Sequence, residues 1–218
     1  MKKYKVTFLL DKSNIWIEKQ LKSFNFNLNK KFIFKFSKNS NKVINQDIVF
    51  PISYLKILPK NFIEKNKMVL IAHPSKLPKG RGFAPVQYEV LNNKNIIYIS
   101  LIKGNNDKVD SGPICIQDKF LLNGLELSDE IRYKQGKAIL KIVKNFLKMY
   151  PKVKFKKQRG RSSFNKRRHP KDSELNINKS IKDQFNHMRI NDNKKYPSFF
   201  IFKKKKFILK IFEEDYKK

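Results

Sequence analysis

Four short apolar runs, each of strand length and separated by segments of different periodicity, constrain the fold of this chain more than any other feature. They are YKVTFLL (4–10), FIFKF (32–36), DIVFPI (47–52) and MVLIA (68–72). β-Branched and aromatic residues crowd them, and several lack the polar alternation of a half-exposed strand, so they read as strands covered on both faces. Between the first two, SNIWIEKQLKSF places Ile15, Ile17 and Leu21 at helical spacing. Strand, helix, strand order favours parallel pairing. The expected architecture is α/β: a Rossmann-like, mostly parallel twisted sheet with helices on both faces.

The remaining elements are set by local signals. Pro59 and NFIEKN predict a short helix before the fourth strand. HPSKLPKGRGFAP is too rich in proline and glycine for regular structure. APVQYEVL then reads as a helix, IIYISLI (96–102) as a strand, GNNDKVDSG as a loop and PICIQDKF as a further strand. The longest helix should start at Ser128 as its cap, with Asp129 and Glu130 at its positive end. Ile131, Ile139, Ile142, Val143, Phe146, Leu147 and Tyr150 recur along it at helical spacing, and it should stop before Pro151. After a basic stretch, KSIKDQFNHMRI should form a helix with Ile181, Phe185 and Met188 on one face. SFFIF and KFILKIF should form a hairpin around a lysine turn. One helix and one hairpin are too little to fold alone, so the expected organisation is a core over 1–150, a basic linker over 151–171 and an extension over 172–218 packed on the core.

Charge narrows the function classes. Fifty Lys and Arg against 18 Asp and Glu give a net charge of +32, which invites a polyanionic partner. Lysine is spread along the whole chain, however, and only seven of the basic residues are arginine: 81, 132, 159, 161, 167, 168 and 189. The concentrated exception is KVKFKKQRGRSSFNKRRHPK (152–171), which reads either as a solvated connector or as an anion-binding surface. A hydrophobic content of 40% with 19 Phe excludes a wholly disordered basic tail. Cys115 is the single cysteine, so neither an intramolecular disulfide nor a cysteine-rich metal site is expected, which fits a reducing compartment. Every apolar run is too short to span a membrane, and the start of the chain lacks the features of a signal peptide. A cytoplasmic protein with no membrane partner is expected.

Ligands of open parallel sheets bind beyond the carboxyl ends of the strands. His73 comes directly after the apolar run MVLIA and should emerge at that edge, and Asp110, in KVDSGPI, is placed to meet it. An imidazole held by a carboxylate is an acid–base pair suited to neutral pH.

The run HPSKLPKGRGFAPVQYEV, with KVDSGPICIQ one strand later, resembles the formyl-tetrahydrofolate-dependent formyltransferases, whose active-site loop reads H-x-S-x-L-P-x-x-R-G with a downstream V-D-x-G-x-I. DIVFPISYLKILP resembles the strand and folate-contacting loop of the same family. RRHPKDSELNINKSIKDQFNHMRI, with YPSFF after it, resembles the segment beyond the core in members acting on amino sugars and on initiator tRNA. The resemblance implies formyl-tetrahydrofolate as co-substrate and His73 and Asp110 as catalytic residues. It implies Tyr54, Ile57, Leu58 and Val109 beside the folate, and Ser75, Lys79, Gly80 and Arg81 toward the acceptor. One departure stands out. The family carries Asn two residues before its His, where the amide polarises the formyl oxygen, and here that position is Ile71. Asn66, Ser75 or a backbone N–H would have to replace the missing donor. The expected acceptor is an amino sugar or sugar nucleotide, with initiator tRNA as the alternative. A third reading is an inactive core that binds nucleic acid or protein through its lysines. A homodimer is left open.

Overall fold

A computed structural model of the chain describes residues 3–12, 16–26, 28, 31–105 and 107–214. The first half is built from β1 (Tyr4–Leu10), α1 (Glu18–Ser23), β2 (Phe32–Ser37), β3 (Ile48–Ile52), α2 (Lys60–Glu64) and β4 (Leu70–His73). A two-residue strand, β5 (Arg81–Gly82), precedes α3 (Pro85–Leu91), β6 (Ile96–Lys103), β7 (Ile114–Leu121) and the long α4 (Ser128–Met149). Then come β8 (Phe164–Asn165), α5 (Ile181–Arg189), β9 (Ser198–Phe202) and β10 (Lys205–Leu209). Ile15, one of the three residues read as a helical stripe, lies outside the described residues; the other two, Ile17 and Leu21, are buried.

β2, β1 and β3 pair in parallel in that order, and a bridge between Val49 and Val69 carries the parallel direction across to β4. Beyond it the order is β4, β6, β7, with both pairs antiparallel. Among these described strands β6 alone runs against the others, and the Rossmann-like expectation holds with one reversed strand. The centre of the sheet is aromatic. The ring of Phe8 stacks at 5.4 to 5.9 Å on Phe26, Phe34, Phe36 and Phe50, and α4 covers this layer with buried Ile139, Ile142, Val143 and Phe146, joined by Tyr150 just after it. Offset aromatic contacts of this kind add to simple burial. No helix among the described residues is long and apolar enough to cross a membrane.

Two local expectations are corrected. Ser128 is the first residue inside α4 rather than its cap; Glu130 performs that task, its carboxylate accepting the Leu127 N–H at 3.0 Å. In α5, Ile181 does not share a buried face with Met188: it is 76% exposed, whereas Met188 is buried. The helix meets the core through its last turn, where Arg189 is wholly covered. Arg189 donates to the Glu126 carbonyl at 3.1 Å and to Asn186 Oδ1 at 2.7 Å, with the Glu126 carboxylate 3.8 Å away. Arg132 binds Asp192 at 2.6 Å beside it. These contacts offset the cost of burying the Arg189 guanidinium, which would be high if it were left unpaired.

The basic run 152–171 is not a free connector. Lys156 and Ile114 exchange both backbone hydrogen bonds at 2.8 Å, and β8 pairs in parallel with β5. The run is therefore woven onto β7 and onto the Pro- and Gly-rich loop after β4.

Candidate active site

β4 ends at His73, which is 6% exposed. Parallel pairing places the end of β3 and the loop after it, 53–59, at the same edge of the sheet. Asp110 arrives differently. Because β6 runs antiparallel to β4, the connection after it begins opposite Leu70, at the far end of β4 from His73. Asp110 nevertheless reaches the ring: its Oδ2 lies 3.4 Å from His73 Nδ1 and accepts the Gly82 N–H at 2.9 Å. Asp110 adopts φ 52°, a left-handed conformation that aspartate tolerates better than most residues.

On the other side of the ring, His73 Nε2 is 2.8 Å from the Gly80 carbonyl. A carbonyl oxygen can only accept, so Nε2 carries the hydrogen there. The imidazole thus lies between a carboxylate beside Nδ1 and the loop carbonyl that Nε2 bonds.

That loop is shaped by its glycines. Gly80 has φ 73° and lies against Ser75, whose Cβ would stand 3.1 Å from an added methyl. Gly82 has φ 92°, and a Cβ there would stand 2.5 Å from the Asn165 carbonyl and 2.8 Å from the Phe164 ring. Only glycine permits β8 to lie this close. A polar peg supports the loop from beneath. Ser100 donates to the Ser75 carbonyl at 2.7 Å and accepts from Gln117 Nε2 at 2.9 Å.

The other residues singled out in the sequence divide into two groups. Ser75, Gly80 and Arg81 lie within the held loop. Ser75 Oγ is buried with no hydrogen-bond partner, and Arg81 turns its guanidinium onto Gln158 Oε1, with Nη2 at 2.6 Å and Nε at 3.2 Å. Lys79 is exposed. In the loop after β3, Tyr54 and Leu58 are half-buried against the cluster of Leu9, Val43, Val49, Phe62 and Val69. Ile57 and Val109 are left exposed, Ile57 at 75%. Leu55 is exposed as well, and its N–H reaches Asp11 Oδ2 at 3.3 Å. Uncovered aliphatic side chains on loops beside a polar pair suit a flat ring system, which they could shield from water.

The missing amide has no replacement in Asn66. Its side chain donates to the Val43 and Phe62 carbonyls at 3.0 and 2.9 Å and accepts from Gln46 N–H at 3.1 Å, which uses it as structural cement. Ile71 pairs with Ile102 inside the sheet. Of the side chains considered as substitutes, Ser75 keeps an uncommitted polar atom. Cys115 offers no nucleophile, since burial pushes its thiol up to about 11. Among the described residues, no three His, Cys, Asp or Glu side chains are gathered to hold a metal ion.

Sequence reading missed Gln158 and Ser163. Gln158 Nε2 donates to the Asp110 and Gly112 carbonyls, both at 2.8 Å, and Ser163 Oγ accepts the Gly80 N–H at 2.9 Å. Both lie in the run whose charge hid its neutral polar residues; no local spacing linked them to residues so distant in the chain.

Comparison with known proteins finds matches in sequence and in structure. The family described as "Formyl transferase" matches residues 14–138. The methionyl-tRNA formyltransferase of Borrelia garinii subsp. bavariensis is 37% identical over 94 residues, which cover 43% of this chain and 30% of that protein. The alignments span about a third to a half of the length of the first curated relatives. Among solved structures, methionyl-tRNA formyltransferase from Clostridium thermocellum superposes with a TM-score of 0.83 at 21% identity, over 97% of this chain and 94% of that one. A 4-N formyltransferase from Francisella tularensis gives 0.74 at 17% identity, over 98% and 99%. HypX from Aquifex aeolicus in complex with tetrahydrofolic acid gives 0.73 at 13% identity, over 95% and 37%. At these identities the superpositions show a shared fold.

Proposed function

The chain belongs to the formyl transferase family, and we propose that it moves a formyl group from formyl-tetrahydrofolate to the primary amine of a phosphate-bearing acceptor. The observation that carries this reading is the buried pair of His73 and Asp110, 3.4 Å apart, standing on the two stretches that resemble the family's active-site motifs. The bound donor would supply an electrophilic one-carbon group. Exposed Leu55, Ile57 and Val109 are suited to cover its ring system.

The reaction forms one C–N bond to the amine and breaks one to the folate nitrogen; the amine gives up a proton and the folate nitrogen gains one. Asp110 faces Nδ1 of the ring through Oδ2 at 3.4 Å, and its other carboxylate oxygen is our candidate to receive the proton from the amine. His73 presents an N–H that now rests on the Gly80 carbonyl. Turned toward a developing oxyanion, the same hydrogen would stabilise it. Ser75 Oγ, buried without a partner, is the candidate second donor in place of the absent amide.

Two features favour a charged tRNA as acceptor: the net charge of +32, and the basic run whose strand lies against the active-site loop, with Arg159, Arg161 and Arg167 exposed. The relatives found by sequence are named as methionyl-tRNA formyltransferases. A second reading, an amino sugar nucleotide, is supported by the match to nearly the whole of a 4-N formyltransferase chain. Incubation with formyl-tetrahydrofolate and either methionyl-tRNA or a panel of amino sugar nucleotides separates them. Formylated methionyl-tRNA, formed at a rate that falls steeply with salt, supports the first; formylated sugar supports the second; no formylated product from either rejects both.

A further inference from the structure

We infer that Gln158 is a positioning residue for the His73–Asp110 pair, locking the Asp110 loop and the Arg81 loop into one unit. Its amide is fully used. Both Nε2 hydrogens go to carbonyls that flank the turn, Asp110 and Gly112, at 2.8 Å each. Oε1 accepts twice from Arg81, at 2.6 and 3.2 Å. A primary amide is the side chain that offers two donors on one side and an acceptor on the other.

The turn is pinned from its other side as well. A Cβ on Gly112 would stand 1.7 Å from the Lys103 carbonyl, so the backbone there has no room to retreat. Gln158 itself is fixed by the Lys156–Ile114 backbone pair on one flank and by Ser163, holding Gly80, on the other. Asp110 sits at φ 52° with its carbonyl in the grip of Gln158 and its Oδ2 on His73 and Gly82. Releasing that carbonyl frees the turn to relax, and the carboxylate moves away from Nδ1. The segment that reads in sequence as a charged connector thereby becomes part of the active-site frame.

The kinetic side of this inference rests on the formyl-transfer reading; its structural side does not. The test uses Gln158→Glu, Gln158→Ala and the control Ile142→Val. Glutamate keeps an acceptor for Arg81 but turns a carboxylate onto two carbonyls, and alanine removes all four contacts. The control loosens the core beneath α4 without touching either loop. The first measurement is the ring 15N shifts of His73 in the ligand-free protein. Both Gln158 variants should move the Nδ1 signal and leave Nε2, whose Gly80 contact remains; Ile142→Val should lower the melting temperature and move neither.

The second measurement is steady-state formyl transfer, where both Gln158 variants should lose up to about 10²-fold in kcat with KM for the donor unchanged, as expected for misplacement of a reacting group. Wild-type Nδ1 shifts in both variants overturn the inference, and so does wild-type kcat in both. If the wild-type protein transfers no formyl group to any acceptor, the formyl-transfer reading falls, and the 15N shifts alone decide the role of Gln158.

Discussion

Oδ2 of Asp110 faces Nδ1 of His73 at 3.4 Å while also accepting the Gly82 N–H at 2.9 Å. One carboxylate oxygen thus orients the ring and holds the loop that the ring introduces, and the two tasks can be separated by substitution. Asp110→Asn keeps an acceptor for Gly82 and loses the charge beside the imidazole. Asp110→Ala loses both and leaves a half-buried N–H unpaired, at a cost of about 1–3 kcal/mol. Both should lower turnover by about 10² to 10⁴, and urea unfolding should find the alanine variant less stable than the asparagine one. Equal stability of the two would mean that Gly82 does not depend on Asp110.

Restoring the family's amide tests the oxyanion account. Loss of one such donor costs about 10² to 10³ in rate elsewhere, so Ile71→Asn should raise turnover by an appreciable part of that factor. A variant that folds, binds donor as the wild type does and turns over no faster would show that the site already has a full set of donors.

Ser75 is distinguished by what it lacks. Its buried hydroxyl has no partner, so Ser75→Ala removes a desolvated polar group and no hydrogen bond, and thermal unfolding should show equal or greater stability. The same variant should lose turnover if the hydroxyl serves the reaction. A clear fall in melting temperature would mean that the hydroxyl is a structural contact after all.

Acid should loosen the attachment of the C-terminal segment. Burial alone would raise the Glu126 and Asp192 carboxyls, but hydrogen bonds outweigh it: Lys134 and the backbone of the 123–126 turn hold Glu126 low, and Arg132 and the N–H groups of Lys195 and Lys194 hold Asp192 low. A carboxyl lower in the folded than in the unfolded chain lends full stability above its unfolded pKa. That contribution is lost as pH falls through the folded one, so stability should decline progressively below about pH 5. Lys134→Met removes the ammonium that helps hold Glu126 low and leaves the carboxylate to the N–H groups of Asn123 and Gly124, with Arg189 at 3.8 Å. The acid-sensitive part of the stability should shrink in this variant. An unchanged pH dependence of urea unfolding would show that Lys134 does not contribute to it.

Much of the fold was legible in the sequence. The strand-length apolar runs and the helical stripe of α4 mark the core because burial imposes their periodicity, and the two motifs supply the His73 and Asp110 side chains that the fold brings to 3.4 Å. Three things were not legible. The reversal of β6 depends on how a connection docks, and no residue in IIYISLI encodes direction. The pairing of Arg81–Gly82 with Phe164–Asn165 joins two segments remote in the chain, each of which looks like a loop. Gln158 and Ser163 sit among cations whose charge is the louder signal, while their roles come from hydrogen bonds that only the folded chain brings within reach.

The central claim is that His73 and Asp110 transfer a formyl group, and product release tests it most directly. The protein is mixed with formyl-tetrahydrofolate and methionyl-tRNA, or with amino sugar nucleotides, and tetrahydrofolate is measured together with N-formylated acceptor. The account predicts equal amounts of both products with one acceptor class and a loss of about 10² or more in His73→Ala, which removes the N–H offered to the oxyanion. Product formation unaffected by His73→Ala, or none from the wild type with any acceptor, would contradict it.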